Sequence, residues 1–116
     1  MHIKTYNAFE IVKIPFPFTD KSTNKVRPAL VISSIEYQKS TNHVICLMIT
    51  SAKHSTWNMD VVVPYYQACG LPSPSIIRMK VFSIDSALII DKIGVLHKDS
   101  VKQVSKALKL ILHLKN

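Results

Sequence analysis

The chain has 116 residues, with 15 Lys or Arg against 7 Asp or Glu, for a net charge of +8. That length predicts one domain over residues 1–116; at 47% hydrophobic and 19% charged, with no long single-sign run, the composition supports a core and excludes a disordered tail. An excess of positive charge in so short a chain points to a polyanionic or acidic partner, or simply to a basic surface kept for solubility; charge alone does not choose. Two cysteines, Cys46 and Cys69, are too few for a disulfide framework, and neither has a Cys or His at metal-ligand spacing. The start, Met1-His2-Ile3-Lys4, lacks the apolar segment of a signal peptide, and no stretch approaches the ~20 apolar residues of a membrane span. The expectation is a cytoplasmic protein without membrane contact.

In chain order, short apolar strands alternate with polar turns. Residues 9–16 are rich in β-branched and aromatic side chains and predict a first strand. Pro15 and Pro17 then stop regular pairing, having no amide hydrogen to donate. Residues 19–25 form a polar, turn-forming loop. Residues 26–33 predict a second strand, with Ala29, Leu30, Val31 and Ile32 buried on both faces, and residues 44–50 a third, in which Cys46 reads as a small buried hydrophobe. Residues 60–63, 76–84 and 89–96 predict three more, with Gly94 a bulge or a point of close approach. Residues 100–114 then predict an amphipathic helix capped by Asp99 or Ser100, since Val101, Val104, Leu108 and Ile111 recur at helical spacing. Leu110, Leu112 and Leu114 widen its apolar face, which suits packing on the chain's own sheet or a dimer. Many short strands and one helix predict a mainly β fold, a small closed or nearly closed barrel that leaves few exposed edges.

The run Glu10-Ile11-Val12-Lys13-Ile14-Pro15-Phe16-Pro17-Phe18-Thr19-Asp20, followed by Lys25-Val26-Arg27-Pro28-Ala29-Leu30-Val31-Ile32-Ser33, closely resembles the opening of the MazF/PemK toxin family. Ile49-Thr50-Ser51, Leu71-Pro72-Ser73-Pro74-Ser75-Ile76-Ile77-Arg78 and Ile93-Gly94-Val95-Leu96 resemble later parts of the family in the same order. The Arg-Pro-Ala-Leu-Val segment after the Pro-Phe-Pro-Phe-Thr-Asp loop is the specific signal. The resemblance implies an SH3-like, plasmid-maintenance-toxin barrel with a C-terminal amphipathic helix, usually a homodimer. It also implies sequence-selective cleavage of single-stranded RNA, messenger RNA in particular, restrained by a cognate antitoxin protein.

RNA carries its own nucleophile in the 2′-hydroxyl, so a protein that aligns this oxygen with the adjacent phosphorus and stabilises the growing charge needs no metal. The five histidines (His2, His43, His54, His97, His113) are scattered and predict no metal site. The resemblance implies two catalytic residues. The Arg27 guanidinium offers a planar fork of donors that matches two phosphate oxygens, against the plainer reading of a surface arginine at a strand start. The Thr50 hydroxyl can donate to a non-bridging oxygen, against a β-branched residue chosen for strand packing. Ser51 assists, or simply starts a turn. Lys21, Lys25, Lys53, Arg78 and Lys80 fall in segments that the resemblance brings near one groove, where they can track a phosphate backbone. Trp57, Phe16 and Phe18 can stack on bases or anchor loops, and Tyr65 and Tyr66 can line the groove or a dimer seam. Some relatives carry an aspartate two residues after the arginine that aligns with Arg78; here Lys80 stands there. That departure removes a candidate base, which His54 can replace if it is more than a solvated loop histidine. It also keeps open a second reading, an inert member of the fold that binds antitoxin, nucleic acid or a protein target, as the related gyrase-poisoning toxins do. A third, a general basic adaptor, accounts for charge and strands but not for the ordered motifs.

Overall fold

The computed structural model describes residues 4–16, 25–53 and 56–115. Six strands are arranged as β1 (Glu10–Pro15), β2 (Val26–Val31), β3 (His43–Ser51), β4 (Val61–Val62), β5 (Ser75–Asp85) and β6 (Asp91–Val95). Among the described residues two α-helices accompany them, α1 (Ile35–Thr41) between β2 and β3 and α2 (Lys98–Ile111) after β6, with a single 3-10 turn at Ser86–Leu88. The strands form one antiparallel sheet in the order β4-β5-β3-β2-β1-β6. The sheet curls into a half-barrel whose outer strands, β4 and β6, do not hydrogen-bond to each other, so the expected barrel is an open one.

The central strands bury both faces because their side chains are apolar at odd and even positions alike. Ile11, Leu30, Leu47, Ile49 and Ile77 face one core with Val104 and Ala107 of α2. Val12, Ile14, Ala29, Val31, Val44, Cys46 and Ile84 face a second core with Tyr6 and Ile89. Each fully buried aliphatic side chain stabilises the fold by roughly 1.5–3 kcal/mol. Burial in this second core also pushes the Cys46 thiol up to about 12, so it stays protonated.

Two glycines bring the segment after β4 against β6. Gly70 has φ +85, a left-handed conformation, and a Cβ on it would lie 1.9 Å from the Ile93 carbonyl oxygen. A Cβ on Gly94 would lie 1.8 Å from the Cys69 carbonyl oxygen. Gly94 is therefore the close-approach point expected of it. It pairs with Ile11, and the β1–β6 register slips next to it, where Lys92 pairs with Val12 and Ile93 is the extra residue.

Helix α1 was not expected. Ser34 caps it by accepting from the Tyr37 amide, and Asn42 ends it with φ 59. Its buried residue is Gln38, whose Oε1 accepts from the Tyr6 amide at 2.9 Å and whose Nε2 donates to the Tyr6 carbonyl at 2.8 Å. A polar side chain thus fastens the N-terminal segment across the second core. Helix α2 begins two residues earlier than expected, because His97 rather than Asp99 or Ser100 is its cap: Nδ1 accepts from the Asp99 amide at 3.2 Å. Val104 and Ala107 carry the helix onto the sheet, while Leu110, Leu112 and Leu114 stay exposed. Among the described residues no helix is long and apolar enough to cross a membrane.

Candidate functional site

Antiparallel pairing brings the end of β1, the start of β2, the end of β3 and the start of β5 to one end of the sheet. A cleft of about 200 Å³ opens there, lined by Val26, Arg27, Pro28, Thr50, Ser51 and Ser75, with Ile49, Pro72 and Ser73 completing it. The β2–β3 register explains why Arg27 and Thr50 meet. Ala29 pairs with Met48, so the same register carried two residues further sets Arg27 opposite Thr50 on one face.

Arg27 is exposed, and among the described residues no carboxylate forms an ion pair with it. Its guanidinium carbon lies 5.7 Å from the centre of the Phe16 ring. The Phe16 amide donates to the Lys25 carbonyl at 2.9 Å, one step beyond the Pro15–Val26 pair, which fixes the ring beside the guanidinium. Thr50 is half-buried and aims its side chain away from the Ile49 core. Ser51 Oγ accepts from the Lys53 amide at 3.2 Å and so also shapes the turn leaving β3. Ser75 Oγ donates to the Ser73 carbonyl at 2.8 Å, bracing the opposite wall.

The remaining candidates are distributed differently. Lys25 precedes the cleft residue Val26 in the chain, and Lys53 is exposed in the turn after Ser51; neither lines the cleft. Lys80 is exposed in the irregularity between β3 and β5, where Leu47 pairs with Val81 and Met48 with Arg78, and it too lies outside the lining. Lys21, His54 and Phe18 lie outside the described residues. Among the described residues, no group of three or more His, Cys, Asp or Glu is gathered as metal ligands would be.

Arg78 is held by partners that its sequence neighbours do not reveal. Its Nη2 lies 3.0 Å from Asp60 Oδ2 and its Nε 3.3 Å from Oδ1. Its guanidinium carbon sits 4.9 Å from the Trp57 ring centre, and the Trp57 amide donates to Asp60 Oδ2 at 2.7 Å. Burial alone would raise the Asp60 carboxyl, but the Arg78 guanidinium and the Trp57 amide outweigh it and hold the carboxyl below its ordinary value. Trp57, read from the sequence as either a base-stacking or a loop-anchoring aromatic, is thus tied to an ion pair that anchors residues 56–60 onto β5.

A half-barrel sheet with a C-terminal helix, bearing a guanidinium and several hydroxyls in one cleft at its end, defines a class of small basic β proteins. The family model for the PemK-like, MazF-like toxins of type II toxin–antitoxin systems matches residues 7–112, and the chain belongs to that family. Solved structures show the same fold. A chain of a MazE–MazF crystal structure from Deinococcus radiodurans is 21% identical over 97% of this chain and 99% of that one, with a TM-score of 0.76. An endoribonuclease from a mycobacterial species, solved with its cognate antitoxin, is 13% identical over 100% of this chain and 99% of that one, also with a TM-score of 0.76. The Mycobacterium tuberculosis toxin MazF-mt6 is 18% identical over 92% of this chain and 99% of that one, with a TM-score of 0.72. No curated protein sequence matches the chain.

Proposed function

We propose that this toxin is a metal-independent endoribonuclease that cuts single-stranded RNA at short specific sequences by attack of the 2′-hydroxyl on the adjacent phosphorus. The observation that carries the reading is the meeting of Arg27 and Thr50 in one cleft at the end of the sheet. Arg27 is placed to grip two non-bridging phosphate oxygens, and Thr50 to donate to one of them. As the 2′-oxygen gives up its proton to solvent and bonds to phosphorus, charge builds on those oxygens; the bond from phosphorus to the 5′-oxygen of the next nucleotide then breaks, that oxygen takes a proton from solvent, and a 2′,3′-cyclic phosphate is left. Losing one such donor costs about 2.7–4 kcal/mol in comparable sites. In this reading charge stabilisation and in-line alignment carry the catalysis that Arg27 and Thr50 supply.

Lys21, Lys25, Lys53, Arg78 and Lys80 complete the proposal as cations around the site, Lys25 being nearest in the chain to a cleft residue. Arg78 acts through its grip on Asp60, which sets the segment after Ser51. The toxin acts in the cytoplasm, where messenger RNA is found, and is held inactive by a cognate antitoxin, as the Deinococcus and mycobacterial complexes suggest by their composition. The exposed Leu110, Leu112 and Leu114 suit a homodimer. Incubating the purified protein with a long single-stranded RNA and a chelator, then mapping the new ends, tests the reading. Discrete cuts that vanish in Arg27→Ala support it; RNA that shifts in mobility but stays intact supports an inert binder instead.

A further inference from the structure

A second cleft, of about 370 Å³, adjoins the first and shares Val26, Arg27, Pro28 and Pro72 with it. Its other walls are Lys13, Gly70 and Ile93. Lys13 pairs with Pro28 whereas Ile14 pairs with Arg27, so the two cations come from opposite faces of the β1–β2 ladder and meet at its rim. The sizes differ in a way that matters. Pockets that enclose small organic molecules run from roughly 300 to 1,000 Å³. The first cleft falls below that range and suits a phosphate on its sugar, whereas the second falls within it.

The second cleft also differs in chemistry. Its walls are apolar at Val26, Pro28, Pro72 and Ile93, surfaces against which a flat ring can lie. Its polar side chains, Lys13 and Arg27, are donors only. Asp91 stands opposite Lys13 in the β1–β6 ladder, but among the described residues it forms no ion pair with Lys13, and its Oδ1 accepts from the Lys92 amide at 2.8 Å. Gly70 keeps this wall close to β6, since any side chain there would strike Ile93.

We infer that this second cleft is a base-binding subsite for the nucleotide next to the scissile phosphate, with Lys13 as its specificity-determining residue. The inference rests on the ribonuclease reading above. Because Arg27 borders both clefts, a strand whose phosphate lies against Arg27 delivers its neighbouring base to Lys13. A wall of donor side chains selects a base that presents acceptors: guanine, through O6 and N7, ahead of adenine, whose N6 amino group would meet another donor.

The test uses short RNAs carrying the mapped cut site, varied to each of the four bases at the positions flanking the scissile bond. Wild-type protein should cut the guanine form roughly tenfold or more faster than the adenine form at one flanking position, the size of one base-edge contact. Lys13→Gln, which both donates and accepts, should bring that ratio close to one, and Lys13→Arg should retain it. Circular dichroism of both variants establishes that each is folded. An unchanged ratio in Lys13→Gln, or a uniform fall across all four bases, overturns the inference and leaves the ribonuclease reading standing. The uniform fall assigns Lys13 to the phosphate backbone. Wild-type protein that leaves every RNA intact overturns both, and loss of antitoxin binding in Lys13→Gln without a change in base preference assigns the cleft to the antitoxin.

Discussion

Arg78 and Asp60 form a two-point ion pair 18 residues apart in sequence, with Nη2 to Oδ2 at 3.0 Å and Nε to Oδ1 at 3.3 Å, and with side chains only 11% and 7% exposed. The pair spans the short β4 strand and holds the segment before it against β5. A pair this buried leaves an uncompensated charge when one member is removed. Arg78→Ala should therefore destabilise the fold by about 3 kcal/mol, read from urea unfolding.

The same pair sets a pH dependence. The folded-state carboxyl of Asp60 lies below its ordinary value of 3.8. Its contribution to stability is thus complete above that ordinary value and is lost as pH falls through the lowered one. Asp60→Asn should lower stability at neutral pH and flatten the acid limb of the stability profile. A mutant whose unfolding midpoint falls with acid as steeply as the wild type's would refute the assignment.

Gly94→Ala places a methyl group 1.8 Å from the Cys69 carbonyl oxygen, backbone that a rotamer change cannot move away. The contact holds the segment after β4 against β6, so the substitution should cost about 3 kcal/mol or more. The expected readout is a lowered denaturant midpoint. A midpoint equal to wild type would show that the two segments can separate freely.

Phe16 lies beside Arg27 as a flat, half-open surface, 37% exposed. Replacing it with Leu keeps bulk and removes the ring's attraction for the cation, worth about 0.5–1 kcal/mol at such a site. Phe16→Leu should slow RNA cleavage about two- to fivefold without lowering the unfolding midpoint. A rate equal to wild type would assign Phe16 to packing alone.

The strands were legible because their apolar residues are dense and bounded by polar or proline-containing stretches; β1, β2, β3 and β5 fall where alternation and β-branching put them. Helix α1 was not, because the one residue it buries is Gln38, and a helix fastened by an amide carries no apolar period. The start of α2 differs for a related reason: a histidine nitrogen caps it, while the better-known cap types Asp99 and Ser100 lie within its first turn. The resemblance points to Arg27 and Thr50 as a pair, and the β2–β3 register gives their meeting in one cleft a physical cause. The ties of Arg78 to Asp60 and Trp57 were hidden, since nothing local in the sequence relates a cation to a carboxylate on another strand's approach. Nothing in the sequence around Lys13 marks it out; its place on the rim follows from the second cleft.

The most direct measurement is cleavage, in chelator, of a short RNA carrying a single 2′-deoxy substitution at the nucleotide whose hydroxyl would attack, with the unsubstituted RNA and the Arg27→Ala protein in parallel. The internal-attack mechanism requires that the unsubstituted strand is cut by wild type. The deoxy strand should stay whole, and Arg27→Ala should cut the normal strand at least about a hundredfold more slowly. Cutting of the deoxy strand at the same position, or an Arg27→Ala protein as fast as wild type, contradicts it.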